Sequence, residues 1–480
     1  MAQPLELRFL LKQIIPASPF ASKTYLVGGC VRDRLLNQVV KDLDCVVEQP
    51  GGARQLAEYL HELNPKIISK PHELGAGYPI WQIVFKESFP FKGRVYDVGG
   101  CGLEIADTQK ELFPDPQSRA RITEYGTLME DCKRRDFTCN MLYEDLTQGE
   151  IVDPSDCGVE DIKKGVLRGH PRVSLVKIFS DDPLRMLRLI RFRCRFGWKI
   201  DPKAMQALDV CRDRLKILSH ERVRDELIKI IEDGKLYQAL ELLRETRILN
   251  VLFPEFLPMI GCEQDATYHS EGDVWVHTCL VVKNAPKTLT LQLAALLHDI
   301  GKPASRSLVG QRVKFIEHEK ISTNMTTTFM TKWKFPQELT HQVARLVELH
   351  LRGGDVENWK GLKAARKLHR DAKDQLEDLL TLIEADSVSS YGLDGKPRGA
   401  HLPILRKTLA DAVTIPIRKT PLLNGHDIMR FLGLSPGPRV KEIQDYLLEL
   451  EDQYAEHAKA LSREDAIEAI RQRFGNPLPS

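Results

Sequence analysis

The chain has 480 residues, room for roughly three domains at about 150 residues each. Its 42% hydrophobic and 28% charged residues are ordinary globular composition, which excludes a mainly disordered, collagen-like or membrane-embedded protein. The 69 Lys and Arg against 67 Asp and Glu leave a net charge of +2, so any preference for a polyanion has to be sought locally.

The amino end, MAQPLELRFLLKQIIPASPFAS, is a short apolar patch that follows Glu6 and contains Lys12 and Pro16, a poor fit to a signal peptide. No run of about 18 apolar residues predicts a membrane-spanning helix. The ten cysteines are scattered without a CxxC pair, which predicts reduced, mostly buried thiols of a cytoplasmic protein and argues against cysteine-held zinc. Strands are predicted at Thr24–Val27, 45–48, 81–85 and 94–98, which are β-branched or apolar runs, and a helix at 53–63. From about residue 175 helical periodicity takes over, as in LRMLRLIRFRCRF and ERVRDELIKIIEDGKLYQALELLRE. Breaks fall at 254–272 and 393–403, where Pro and Gly gather. The expected fold class is α+β: a head at 1–155 with a small mixed or antiparallel sheet, a helical neck at 156–255, a helical domain at 256–400 and a helical tail at 401–480.

The most informative stretch is TYLVGGCVRDRLLNQVVKDLDCVVE. A strand runs into Gly28-Gly29, a helix begins near Val31, and a second strand begins near Asp42. Strand alternation puts Asp42 and Asp44 on one face and Leu43 on the other. Two neighbouring carboxylates repel unless a divalent cation lies between them, and Mg²⁺ with oxygen ligands and substrate phosphates is the natural occupant. Gly28 and Gly29 let backbone N–H groups approach a phosphate at a helix start, and Arg32 could pair with phosphate oxygens bidentately. Taken alone, GG is a common turn and DxD a surface feature; together in one strand–turn–helix–strand unit they describe a nucleoside triphosphate clamp for two-metal phosphoryl transfer. Asp97, in RVYDV, is a candidate third carboxylate.

These residues resemble the first motif of the bacterial and eukaryotic (class II) tRNA nucleotidyltransferase and poly(A) polymerase family, whose heads are polymerase-β-like nucleotidyltransferases. The resemblance continues in family order through KRRDFTCNMLY, DDPLRMLRLIRF and ERVRDEL, over roughly residues 22–230. It implies nucleotide and ribose recognition by Arg135 and Asp136, supported by Asn140. In DDPLRMLRLIRF, Pro183 fits a first helical turn and Asp181 a cap, while Asp182 and Arg185 neighbour each other on one helix face. An Asp accepts from an exocyclic amine and an Arg donates to ring N or keto groups, a pair that suits cytosine and, with a small shift, adenine. Uracil and guanine would leave the carboxylate unsatisfied. Arg188 and Arg191 of the same motif complete the nucleotide-binding set. The family's version usually begins with Glu where this chain has Asp181. Residues 185–224 carry twelve Lys and Arg against four Asp and Glu, a surplus of eight that suits an RNA backbone. Glu221 and Arg222 match the family's ER motif behind the base pocket.

A second ordered set is WVHTCLVV, AALLHDIGK, IEHEK, VELHLR and IEADSVSS. His277, the His298-Asp299 doublet and Asp386 lie on different helices and can converge on a divalent metal that activates water; His318 and His350 could add a second ion. The set resembles the HD phosphohydrolase superfamily. Tail-borne HD domains with phosphatase or phosphodiesterase activity occur in proteobacterial members of the nucleotidyltransferase family.

The sequence therefore predicts an enzyme that adds CCA, or part of it, to tRNA 3′ ends from CTP and ATP, with Mg²⁺ at the head and a second divalent metal at the HD site. A poly(A) polymerase of the same family is the near alternative. The division between CC and A addition is expected to depend on the loop at about 99–130. A hydrolase with an RNA-binding head, or an RNA-binding module with dead chemistry, is disfavoured by the intact Asp42/Asp44 pair.

Overall fold

A computed structural model describes residues 3–74, 78–112, 122–310, 312–354, 356–359, 362–414, 417, 420–456 and 459–475. The contacts divide the chain into two compact units, one of residues 1–226 and 241–252, the other of 227–240 and 253–480, so the segment expected as a neck at 156–255 is shared between them.

The first unit is built on a seven-stranded mixed sheet, in the order Ile151–Val152, Tyr143–Asp145, Thr24–Val27, Leu43–Val47, Gly102–Asp107, Ile80–Val84 and His72–Leu74. The pair Leu43–Val47 and Gly102–Asp107 is parallel and the other neighbours are antiparallel. A parallel pair needs a crossover, and the helix Gly52–Leu63 lies within it. That helix buries Ala53, Leu56, Ala57 and Leu60, spaced to form one face. Val27, Val46, Met141 and Tyr143 form part of a core on the sheet around the first strand. The run expected as a strand at 94–98 is shorter, and as Arg94–Tyr96 it pairs with Phe89–Phe91 in a ribbon outside the main sheet. The amino end, read only as an apolar patch, is a helix, Gln3–Ile14. Its Leu7, Leu10, Leu11 and Ile14 are buried at helical spacing. Apart from two small pairings, Gln109–Leu112 with Ile122–Tyr125 and Val166–Leu167 with Lys199–Ile200, the later part of the unit is mainly helical, including Leu175–Asp181, Leu184–Phe196 and Pro202–Cys211.

In the second unit, the helices Val274–Asn284, Leu289–Leu297, His318–Lys332, Gln337–Leu349 and Leu376–Ser389 carry the histidine and aspartate motifs. One antiparallel hairpin, Arg306–Val309 with Arg312–Phe315, interrupts the helices and was not foreseen. The tail segment has its own apolar cluster of Leu423, Ile428, Ile443, Leu447, Ala466 and Ile470. Among the described residues no helix is long and apolar enough to cross a membrane.

Candidate functional site

In the first unit a cleft of about 450 Å³ opens at the carboxyl end of the Thr24–Val27 strand. Gly28 turns the chain there at φ +73°, a conformation that favours glycine, and its N–H donates to the Leu142 carbonyl at 3.1 Å. A Cβ on Gly28 would stand 3.4 Å from Arg135 Nη1, at the cleft wall. The helix Gly29–Leu35 starts at this turn.

Asp44 lies on Leu43–Val47 and lines the cleft. Asp42 precedes that strand by one residue, and both aspartates are open to solvent while Leu43 is buried, the alternation expected. Directly beside Asp44 in the parallel pairing stands Glu104. Surrounding protein, then Glu104 and Asp42, push the Asp44 carboxyl above its ordinary range, with Arg135 opposing. Carboxylates so placed repel one another, and a proton or a divalent cation relieves that repulsion. Asp97 is placed elsewhere: it follows the outlying ribbon and accepts from Ser88 Oγ at 3.5 Å. The carboxylate that the fold sets beside Asp44 is instead Glu104. It sits in GLEIAD, whose buried–exposed alternation was the signal for the missed strand.

The other cleft walls are arginines, most of them pinned by acids. Arg32 is buried, engages Asp33 Oδ1 through Nε at 2.7 Å and Nη2 at 2.6 Å, reaches Asn140 through Nη1, and stacks on Phe192 and Phe196. The phosphate fork expected of Arg32 is thus turned inward, where it fixes the glycine turn's helix. Arg135 holds Asp131 at 2.8 Å and the Tyr143 hydroxyl at 3.1 Å. Asp136 is buried and accepts from Arg188 Nε at 2.7 Å and Asn140 Nδ2 at 2.9 Å. Burial opposes its ionisation, but Arg188 and Asn140 hold its carboxyl far below the ordinary range. Arg191 Nε holds the buried Glu226 at 2.8 Å.

Asp182 and Arg185 both line the cleft, yet they do not form the i,i+3 ion pair that a purely structural role would give. Asp182 Oδ2 accepts from Arg222 at 2.9 Å, and its Oδ1 caps the next helix at Leu184 N, 3.3 Å. Arg185 donates to the Ile178 carbonyl at 3.0 Å and lies 3.6 Å from Glu111. The cap expected of Asp181 falls to Asp182, because Asp181 ends the preceding helix and pairs with Lys177 at 2.6 Å. Glu221 is exposed and does not line the cleft, whereas Arg222 does. The arginine-rich stretch is therefore not one RNA-facing surface, since Arg185 and Arg191 are buried.

In the second unit six expected side chains meet. His277 Nε2 lies 3.0 Å from Asp386 and 3.4 Å from His298 Nε2. Asp299 Oδ2 lies 3.1 Å from His298, and Asp299 Oδ1 lies 3.1 Å from His318 and 3.8 Å from His350. His298, His318 and His350 each set Nδ1 against the carbonyl three residues earlier, Ala295, Phe315 and Val347, at 2.9, 2.9 and 2.6 Å. His277 Nδ1 meets Glu271 at 2.9 Å. Each ring thus keeps its Nε2 for the shared centre, the arrangement by which proteins orient metal-binding imidazoles. Both Asp299 oxygens and the Nε2 atoms of His318 and His350 are buried without a hydrogen bond, the orphaned groups a metal would satisfy. The ligand atoms fall into two sets, His277/His298/Asp386 and Asp299/His318/His350. Burial and the charge of His298 press His350 down to about 3; on His277 Asp386 and Glu271 outweigh burial and raise it to about 9. Lys302 Nζ, 2.7 Å from Asp299, and Glu271 were not foreseen. Lys302 stands in the same HDIGK run as the doublet, four residues after His298, which was its signal.

Residues 24–168 match the family described as Poly A polymerase head domain, 197–260 the probable RNA and SrmB- binding site of polymerase A, and 274–391 the HD domain. The A-adding tRNA nucleotidyltransferase of Deinococcus radiodurans is 30% identical over 90% of this chain and 92% of that protein. The CC-adding tRNA nucleotidyltransferase of Thermus thermophilus is 28% identical over 88% of each. The crystal structure of the Bacillus stearothermophilus CCA-adding enzyme in complex with CTP shares the fold, with a TM-score of 0.64 at 21% identity over 98% of this chain and 97% of that one. Head and HD domains of these kinds generally use divalent metals.

Proposed function

This chain belongs to the tRNA nucleotidyltransferase family, and from that premise we propose that it extends tRNA 3′ ends with CTP and ATP, reading the incoming base with its own side chains. The observation that carries the reading is a single cleft joining the Gly28-Gly29 turn, Asp44 and the Asp182 and Arg185 side chains.

Asp42, Asp44 and Glu104 would hold Mg²⁺, which neutralises the triphosphate and makes a 3′-hydroxyl easier to deprotonate. The Gly28-Gly29 backbone admits the phosphates. Asp182 accepts from the exocyclic amine of cytosine or adenine, and Arg185 donates to the neighbouring ring nitrogen or keto group. Arg188, with Asp136 and Asn140, fixes the wall behind the ribose, and Arg32 and Arg191 brace the helices that carry it. The 3′ oxygen attacks the α-phosphorus, the bond to the bridging oxygen breaks, and pyrophosphate leaves. The cytoplasm is a compartment where tRNA and nucleotides meet, and the ten cysteines, free in the structure, suit its reducing conditions.

In the second unit His277, His298, Asp299 and Asp386, with His318 and His350, would hold one or two divalent ions for phosphoester hydrolysis. The orphaned Asp299 oxygens support that reading.

The test is incubation with a tRNA lacking its 3′ end and labelled CTP or ATP, followed by sequencing of the product. Ordered C-C-A marks a full CCA enzyme, C-C or a lone A a partial one, and A runs a poly(A) polymerase. No incorporation with any nucleotide refutes the proposal.

A further inference from the structure

Two further cavities adjoin the nucleotide cleft in the first unit. The first, about 400 Å³, shares Glu111, Arg134 and Arg185 with the cleft. The second, about 660 Å³, shares Arg172, Val173 and Ser174 with the first. We propose that this succession of cavities, from the nucleotide cleft past Lys133 and Arg172 to Lys203, binds backbone phosphates of the RNA strand being extended. The proposal rests on the nucleotidyltransferase reading above and adds to it where the RNA lies.

Three observations support it. The exposed cations Lys133, Arg172 and Lys203 stand along the walls, Arg172 with a 3.3 Å pairing to the exposed Asp156, whereas the acids there are engaged locally. Glu130 closes a capping box with Thr127, Asp181 pairs with Lys177, and Asp201 caps Lys203 N. Next, His170 is buried in the far cavity with Nδ1 accepting from Arg172 N–H at 3.1 Å. Burial, then Lys133 and Arg172, press its ring toward the neutral form, so the proton belongs on Nε2. That Nε2 is a buried donor with no acceptor among the described residues, and an oxygen acceptor is what it lacks. Finally, the cations are shared between the two cavities, Lys133 lining the nearer, Lys203 the farther and Arg172 both. A strand with one charge per nucleotide matches such a distribution; a compact pyrophosphate calls for convergent donors. The separate cavity at Trp81 is different in kind: Glu58, Glu73 and Asp107 oppose its single Arg54.

The experiment compares wild-type protein with a Lys133→Gln, Arg172→Gln, Lys203→Gln triple variant, all at exposed positions, with Arg54→Glu as control. Affinity for a tRNA lacking its 3′ end is measured by filter binding across a salt series, and KM for CTP at saturating RNA. The triple variant is expected to lower the slope of log affinity against log salt by about 2 to 3, at ~0.7 to ~0.9 per lost phosphate contact, with KM for CTP unchanged. The single Lys203→Glu variant lowers it by about 1, and Arg54→Glu leaves it unchanged. An unchanged slope in both cavity variants overturns the proposal. So does a raised KM for CTP with weaker pyrophosphate inhibition at an unchanged slope, which would assign the site to free phosphates. Failure of the wild type to extend RNA would instead count against the nucleotidyltransferase reading, while the binding slopes still decide this one.

Discussion

Replacing Asp182 by Asn isolates base selection from folding. Burial opposes ionisation of Asp182, but Arg222 and Arg185 outweigh it and keep the group an acceptor-only carboxylate. Asn keeps one oxygen for the Leu184 N–H cap, and Asn caps about as well as Asp. What the fold loses is the ion pair with Arg222, whose side chain is 41% exposed, so the cost is about 0.5 kcal/mol. The base pocket loses more. The amide presents an N–H where the amine of cytosine or adenine also presents one, leaving a buried donor unsatisfied at about 1–3 kcal/mol. That is roughly a 5- to 150-fold loss in kcat/KM for CTP and ATP, at 1.4 kcal/mol per tenfold. UTP and GTP, with a keto oxygen at that position, gain a donor. The assay is single-nucleotide extension of a truncated tRNA with each of the four triphosphates, alongside a thermal melt. The expected result is a near-native melt and a collapse of C-over-U discrimination toward parity. Native melting with native discrimination would refute the assignment of Asp182 to the base.

Asp42→Ala and Asp44→Ala each abolish nucleotide incorporation and spare hydrolysis of a model phosphodiester, whereas Asp299→Ala does the reverse; incorporation surviving Asp42→Ala would remove that residue from the catalytic pair. Glu104→Gln lowers the incorporation rate and raises the Mg²⁺ concentration needed for half-maximal rate, while Asp97→Asn changes neither. Divalent metal at a hundredfold excess over its Kd stabilises the second unit by about 2.7 kcal/mol, read as a chelator-reversible rise in Tm that His298→Ala eliminates. Asp131 is buried, but Arg135 and Arg134 hold it down at about 2 against an ordinary 3.8. A depressed carboxylate stabilises the fold above its unfolded value and stops doing so as pH falls through the folded one, so about 2 kcal/mol is lost between pH 4 and 2. Denaturant titrations of Asp131→Asn lack that step.

Much of this was legible because local spacing sufficed. The Gly28-Gly29 turn, the alternation of Asp42 and Asp44 about Leu43, and the order of the histidine motifs are properties of short segments. The acidic neighbour of Asp44 was not legible in the same way. Glu104 meets Asp44 only through parallel pairing of strands about sixty residues apart in sequence, and nothing within GLEIAD names its partner. Asp97 offered the same residue type on a plausible strand, but that strand pairs locally with Phe89–Phe91 and leaves the sheet. Charge counting failed for a related reason. Residues 185–224 have the surplus of a polyanion surface, yet Arg185 and Arg191 are buried, where the Ile178 carbonyl and Glu226 bind them. Composition reports how many charges there are, and only packing says which of them face water. The loop expected to divide CC from A addition includes residues 113–121, which lie outside the described residues.

The pinned arginines follow from what the proposed reaction demands. A polymerase with a template borrows base specificity from a paired strand, whose edges are held by stacking. A polymerase without one must hold its own donors and acceptors still. Each long cation carries about 2 kcal/mol of rotamer entropy, and Arg loses less of it per hydrogen bond than Lys because its fork is planar. This cleft removes that freedom before the nucleotide arrives: Arg135 is fixed on Asp131, Arg188 on Asp136, and Arg191 on Glu226. Burying such pairs is costly and replacing them by apolar residues often stabilises a fold, so stability alone does not explain three of them around one cavity. Pre-organisation does, because a guanidinium already held by a carboxylate need not be ordered by the substrate. Asp182 and Arg185, the two groups assigned to the base, fit the same logic. Their stronger contacts are a partly exposed arginine and a backbone carbonyl, and both side chains line the cleft.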